Sequence, residues 1–225
     1  MEHISQSLGR LRQDIPCQMN SDTDEPIEPA KDSPEWVMQK LRSFNISSLK
    51  HTFESFKADA NTKEAVETMQ ALSEGKLNKQ FILLYGATGT GKTHLIEALI
   101  IGWAKQNVRS RYLTFSELAR QLKTALRQGG DFYEAQFNVY KEAKHLIVDD
   151  FGSGTTESRF EISDLEDIID LRYRRRYYPD CDLVTILATN KNITALPDRV
   201  VSRFYDPEFG AVIYMGNRDY RRRKV

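Results

Sequence analysis

The chain has 225 residues, a length that fits one domain with an appendage and allows a substantial core. Lys and Arg number 32, as do Asp and Glu, so the formal net charge is zero and gives no overall pull toward nucleic acid or an anionic membrane. Hydrophobic residues at 40% and charged residues at 28% are ordinary for a soluble globular protein. Cys17 and Cys181 lie far apart and form no Cys-x-x-Cys, which argues against a disulfide scaffold or a cysteine zinc site and fits a reducing cytoplasm. No apolar run approaches the roughly 20 residues of a membrane helix. Met1-Glu2-His3-Ile4 lacks the basic-then-apolar order of a signal peptide.

Ile4, Leu8, Leu11 and Ile15 fall on one helical face, making residues 1–19 either a partner-docking helix or a segment that packs back on the rest of the chain or frays. Residues 20–35 are acidic, contain proline and read as a flexible linker. Residues 36–80 read as a helical part, with Trp36, Val37, Leu41, Phe44, Leu49, Phe53 and Phe56 offering core contacts, then Val66, Met69 and Leu72. From residue 81 to 225 the pattern changes. Phe81–Tyr85 is a short apolar run between turn signals, the mark of a buried parallel strand. Arg111–Phe115 is strand-like, and Ser116 can cap a helix to about Gln128 with Leu118, Leu122 and Leu126 inward. A second helix spans about Phe132–Ala143, and His145–Asp149 is the next strand. Ser163–Tyr177 reads as a helix burying Leu165, Ile168, Ile169 and Leu171, followed by strands at Leu183–Ala188 and Ala211–Met215. Strands alternating with helices imply an α/β fold: a mostly parallel central sheet covered on both faces, a three-layer sandwich.

Gly86-Ala87-Thr88-Gly89-Thr90-Gly91-Lys92-Thr93 matches G-x-x-x-x-G-K-[ST] at every fixed position, between a strand and a helix. Such glycines let the backbone curl so that successive N–H groups face phosphate oxygens. The helix start adds its positive end. Lys92 is suited to the β- and γ-phosphates of ATP, Thr93 to Mg²⁺, and His94 continues the nucleotide-binding run. His145–Gly152 then brings Asp149 and Asp150 to the end of an apolar strand. Asp149 would hold the Mg²⁺ shell and Asp150 would orient or deprotonate the attacking water; the competing reading is an acidic pair capping the turn into Gly152. Asn190, ending the Thr185–Thr189 run, could reach the γ-phosphate or the water, or simply end a strand.

In order and spacing these segments resemble an AAA+ P-loop ATPase, more specifically the DnaC/DnaI-type helicase loaders and the IstB-like transposition helpers. The resemblance rests on GATGTGKT, Tyr112–Leu118, HLIVDDFG, Ile168–Tyr173, ILATN, Arg199–Phe204 and Asp219-Tyr220-Arg221, and covers about Leu49 onward. It implies Walker A at Lys92 and Thr93, Walker B at Asp149 and Asp150, and sensor 1 at Asn190. It further implies Arg203 as an arginine finger acting on a neighbouring subunit and Arg221 as the sensor 2 arginine. The implied activity is ATP hydrolysis at subunit interfaces of an ATP-dependent homo-oligomer. That activity would load a replicative ring helicase onto single-stranded DNA, or alternatively assemble on duplex DNA for a transposase. Asp150 stands where many AAA+ enzymes have Glu, which suggests slow turnover.

Two basic clusters are candidate DNA surfaces. One is Arg172, Arg174, Arg175 and Arg176 with Tyr173, Tyr177 and Tyr178 interleaved. The other is Arg218, Arg221, Arg222, Arg223 and Lys224. The first reads equally as a solvated helix end. The resemblance adds Lys123, Arg127, Lys141 and Lys144 within about Ser116–Lys144.

Overall fold

The computed structural model describes residues 31, 33–44, 46, 48–152, 158–178 and 182–221. The chain divides into two units, Met1–Trp36 and Val37–Val225. The expected docking helix, most of the linker, both cysteines and residues 222–225 lie outside the described residues.

Helix α1 (Pro34–Leu41) is short and runs into a single 3-10 turn at Arg42–Phe44. The expectation that residues 36–80 are helical fails between this turn and Thr62. The described residues there are mostly irregular, and α2 begins only at Lys63 (Lys63–Ser73). Asp59 fixes the turn from which α2 starts. Its carboxylate accepts the N–H groups of Asn61 (3.0 Å) and Thr62 (3.1 Å) and the Thr62 hydroxyl (3.0 Å). Such local side-chain bonds offer the backbone an alternative to a helical ladder.

Five strands make up the sheet: β1 (Phe81–Tyr85), β2 (Ser110–Thr114), β3 (His145–Phe151), β4 (Val184–Thr189) and β5 (Gly210–Tyr214). All pairings are parallel, in the order β2-β3-β4-β1-β5. Parallel neighbours need crossovers, so every strand ends at the same edge of the sheet. The order interposes β4 between β1 and β3, with Tyr85 of β1 opposite Thr189 of β4.

The connecting helices are α3 (Lys92–Lys105), α4 (Phe115–Gln128), α5 (Gly130–Lys141), α6 (Arg159–Arg174) and α7 (Asp198–Phe204). On one face of the sheet, Phe81, Leu83, Leu146 and Val148 join Leu118 and Leu122 of α4, Ile168 and Ile169 of α6 and Phe204 of α7 in one core. Ile82 and Leu84, of opposite alternation, point to the other face. Thr114, not Ser116, caps α4: its hydroxyl accepts the Glu117 N–H (3.2 Å) while the Glu117 carboxylate accepts the Thr114 N–H (2.9 Å). Such a box contributes about 1 kcal/mol. Ala125 rather than Leu126 completes the buried stripe, leaving Leu126 46% exposed. Ser158 and Glu161 form a second box, starting α6 four residues earlier than expected. Among the described residues, no helix is long and apolar enough to cross a membrane.

Arg172 departs most from its expected role. It is fully buried, so it belongs to no DNA surface. Its Nη1 donates to the carbonyls of Tyr140 (3.1 Å), Lys141 (3.0 Å) and Ala143 (2.6 Å) just at and beyond the end of α5. Nε and Nη2 donate to the Thr185 hydroxyl and the Val184 carbonyl (both 2.8 Å) on β4. The arginine thus satisfies carbonyls that a helix end leaves bare, and it ties α5 to β4. Arg172→Ala leaves several buried acceptors without a donor, and is expected to destabilise the protein by about 3 kcal/mol or more. A shift in the urea unfolding midpoint at unchanged slope checks this; an unmoved midpoint would remove the bracing role of Arg172.

Candidate functional site

The loop at 86–91 joins β1 to α3 at the carboxyl edge of the sheet. Gly91 caps α3 at φ +97° and Gly89 sits at φ +82°, both in the region that favours glycine. At Gly89 a Cβ would also meet the Asp219 carboxylate at 1.9 Å. Lys92 and Thr93 open α3, where N–H groups lack helical partners and the helix end is positive. The Lys92 ammonium is buried and turned back on its own loop, donating to the carbonyls of Gly86 (2.8 Å) and Ala87 (2.9 Å). Burial holds its pKa below the usual lysine value, against the raising pull of Asp149 and Asp150.

Asp149 ends the straight part of β3 and is 2% exposed. Its Oδ2 accepts the Thr93 hydroxyl (2.8 Å) and the Tyr112 hydroxyl (3.4 Å); its Oδ1 accepts the Asp150 N–H (2.8 Å). Burial raises its pKa above the ordinary aspartate value, and the bonds from Thr93 and Asp150 only partly offset this. A register shift between Val148 and Phe151, with Asp150 at φ +56°, turns Asp150 out into solvent. Thr189 locks β4 against this bulge by donating its hydroxyl to the Phe151 carbonyl (2.6 Å). Asn190 comes directly after it, half-buried, between the strand that bears the loop and the strand that bears the acids.

The structure adds two walls to the site, of which only the second includes a segment marked by the resemblance, Asp219-Tyr220-Arg221. One is the segment before α2. Phe56 packs where a Cβ on Gly91 would sit, at 2.6 Å. His94, expected to continue the nucleotide-binding run, faces this segment: its Nε2 lies 3.0 Å from the Thr52 carbonyl and 3.2 Å from the Ser55 hydroxyl. Its ring centroid is 4.5 Å from His51 and 5.1 Å from Phe56. The side chain therefore braces the wall and leaves only its backbone to an anion at the helix start. The second wall is the segment after β5. The Ala87 N–H donates to the Gly216 carbonyl and the Tyr220 N–H to the Gly89 carbonyl (both 3.0 Å). The Tyr220 hydroxyl donates to Asp59, joining the two walls. Arg221 is exposed, and its positive field reaches Lys92. Thr52, Ser55, Phe56 and Asp59 belong to no motif; only proximity in the fold selects them.

Arg203 stands elsewhere. It is the next-to-last residue of α7, and the carbonyl of Phe204 crowds Gly210 at the start of β5, opposite Phe81 at the start of β1. That end is roughly 15 Å, one strand length, from the loop that comes after Tyr85. Arg203 donates to Asp170 Oδ1 (2.6 Å). The expected arginine–tyrosine cluster is largely neutralised. Arg174 bonds Asp170, Arg175 bonds Glu142, and Arg176 lies 3.8 Å from Asp206. Arg176 is also 3.7 Å from the Tyr173 ring centroid and 4.0 Å from that of Tyr177. On the α4–α5 hairpin, Lys123 and Arg127 are exposed, whereas Lys141 pairs with Glu142 (3.5 Å) and Lys144 with Asp182.

A buried lysine on a glycine loop, a hydroxyl and a buried carboxylate at one sheet edge define a P-loop nucleotide-binding protein with the AAA+ fold. The model of the IstB-like ATP binding protein family matches residues 36–195, and the chain belongs to that family. It is 29% identical over 175 residues to the chromosomal replication initiator protein DnaA of Aquifex aeolicus, covering 74% of this chain and 40% of that one. The AMPPCP-bound structure of that DnaA superposes with a TM-score of 0.61 at 26% identity, over 75% of this chain and 50% of that one. The chain is 30% identical over 132 residues to the putative ATP-binding protein of insertion sequence IS232 from Bacillus thuringiensis subsp. berliner (59% of this chain, 47% of that one). The DnaC helicase loader structure shares the fold, with a TM-score of 0.60 at 20% identity over 74% of this chain and 97% of that one. The chain spans under half the length of the curated relatives it matches.

The raised Asp149 pKa has a measurable consequence. A carboxyl whose folded pKa lies above its unfolded value holds its proton more tightly when folded, so ionising it weakens the fold as pH rises past the unfolded value near 3.9. Without nucleotide, Asp149→Asn is therefore expected to be more thermally stable than the natural chain at pH 7 to about 8. The difference should shrink toward the acid side, where Asp149 regains its proton. Melting curves of the two proteins across pH check it; a gap that widens on acidification would contradict the burial argument.

Proposed function

We propose that this chain is an ATP-hydrolysing switch that assembles into a homo-oligomer and delivers a replicative ring helicase to single-stranded DNA. The observation that carries the ATPase half is the Thr93–Asp149 contact, which sets a hydroxyl and a buried carboxylate side by side beside the phosphate loop. Two hard oxygen donors suit Mg²⁺. The ion would neutralise charge on the β- and γ-phosphates. Loop N–H groups and the start of α3 bind the phosphates. Lys92 exchanges its Gly86 and Ala87 carbonyls for phosphate oxygens. Asp150, turned out by the bulge, orients the attacking water, with Asn190 beside it. Its short side chain accords with slow turnover. Arg221 serves the same subunit's nucleotide. Arg203, a strand length away, acts on a neighbouring subunit's nucleotide, so hydrolysis depends on assembly into a homo-oligomer.

The replication half is supported by the DnaA relatives and by the fold shared with the DnaC loader. A DnaA structure holding AMPPCP and single-stranded DNA also resembles this chain (TM-score 0.62, 25% identity, over 74% of this chain and 50% of that one). The exposed Lys123 and Arg127 of the α4–α5 hairpin are the basic groups best placed to meet a DNA backbone. A second reading, a transposition helper on duplex DNA, is favoured by the family match and the IS232 relative.

Lys92→Ala is expected to weaken ATP binding by more than about tenfold in equilibrium titration; an unchanged affinity would reject the site. Size-exclusion with light scattering, on the chain mixed with a bacterial ring helicase and ATP, separates the two readings. A stoichiometric complex that dissociates on single-stranded DNA supports loading. ATP-dependent assemblies on duplex DNA with no helicase complex would transfer the assignment to the transposition helper.

A further inference from the structure

Arg203 is not a loose side chain at the end of α7. Its Nη2 is held by Asp170 Oδ1, and its guanidinium carbon lies 4.8 Å from the Tyr173 ring centroid. Asp170 is itself fixed, because its Oδ2 accepts from Arg174 Nε (2.8 Å) and lies 2.6 Å from Arg174 Nη2. Tyr173 is fixed in turn by its hydroxyl bond to Asp206. Asp170 and Tyr173 both project from α6, a helix in the main core. Two guanidiniums thus share one carboxylate that is 11% exposed. Burial pushes the Asp170 carboxyl up, but the bonds from Arg203 and Arg174 outweigh it and leave the pKa below the usual value. The Arg203 side chain is 33% exposed, with Nη2 taken by Asp170 and Nε buried without a hydrogen-bond partner among the described residues. Two anchors on a guanidinium that is still part-exposed make a pre-set fork rather than a closed ion pair.

We propose that Asp170 is the positioning residue of Arg203. By holding one nitrogen over the Tyr173 ring, it aims the guanidinium at the triphosphate bound by the adjacent subunit. The inference rests on the reading of Arg203 as acting in trans, and deepens it by naming what orients the arginine. The physical logic is preorganisation. A free arginine samples many rotamers and would have to lose that freedom at each turnover, whereas an anchored one does not. Asp170 and Arg203 face Arg174, Arg176 and Asp206 within this cluster, and Arg199 is paired separately with Glu166 (3.5 Å).

Asp170→Asn keeps the shape and removes the charge. In the full chain, with DNA and partner present, it is expected to lower kcat about 10- to 100-fold while the ATP affinity of the same subunit stays within about twofold. Asp170→Glu, which restores the charge at a longer reach, should recover part of the rate. Subunit mixing supplies the readout that a merely structural role would not move. Lys92→Ala subunits have no working nucleotide site but carry an intact Arg203 and Asp170. Mixing them with Asp170→Asn subunits should restore hydrolysis, because an intact fork then meets an intact site. Arg203→Ala mixed with Lys92→Ala is the control for the in-trans reading. If that control is not rescued, the in-trans reading fails and the inference with it. If the control is rescued but Asp170→Asn hydrolyses ATP at the natural rate, the positioning role alone is overturned. If the control is rescued but Asp170→Asn stays inactive in the mixture, Asp170 serves its own subunit's fold and the proposal is equally overturned.

Discussion

The hydroxyl of Thr93 meets the carboxylate of Asp149 at 2.8 Å, and most of the site depends on what that contact requires. The two residues are 56 positions apart and lie on either side of β4, so they meet only if β1, β4 and β3 are laid in that order with their ends level. The parallel sheet achieves this because every crossover returns the chain to the same edge. Both charges near the contact, Lys92 and Asp149, are disfavoured by burial, which lowers one pKa and raises the other. Each is held by local bonds: Lys92 by its own loop carbonyls, Asp149 by Thr93, Tyr112 and the Asp150 amide. A site strained in this way favours a ligand that brings phosphate oxygens to the lysine.

Around this centre the chain is braced by groups with no part in the chemistry. Arg172 ties the end of α5 to β4, whose last residue, Thr189, holds the bulge carrying Asp150. The hairpin α4–α5 and the acidic end of β3 therefore share β4 as a neighbour, and Phe115 of α4 also packs directly on Phe151 of β3 (ring centroids 5.0 Å). On the opposite side of the loop, Tyr220 joins the segment after β5 to Asp59 in the segment before α2. The phosphate loop is thus enclosed by two stretches far apart in sequence. Arg203 lies outside this enclosure, at the other end of the strands, and is organised by α6.

Periodicity and motif spacing reached much of the architecture. Apolar runs mark β1, β3, β4 and β5 within about two residues, because buried strands show as hydrophobic stretches, whereas β2, at the sheet edge and mostly polar, reads only as strand-like. The glycine loop, Lys92, Thr93 and Asp149 were visible because each residue type is tied to a fixed position in the chain. The irregular stretch before α2 was not visible, since its apolar residues mimic a helical period while Asp59 fixes the turn from which α2 starts. Ser116 and Thr114 are equally able to cap α4, and only the end of β2 decides for Thr114.

By itself, the sequence determined the class of site: a loop of glycines before Lys92 and Thr93 has one well-understood use, and its position between a strand and a helix was readable locally. It also determined the alternation of strands and helices, since burial on two faces or one leaves a periodic trace. The tertiary structure alone decided which charges are available. Arg172 and Lys123 are both basic residues on helices, yet one is sealed among carbonyls and the other is exposed. It also decided that Arg203 is anchored by Asp170 far from its own loop, and that Phe56 and Tyr220 close the nucleotide site. The reason is physical: burial, ion pairing and distance are properties of packed neighbours, and neighbours drawn from distant parts of the chain leave no local pattern.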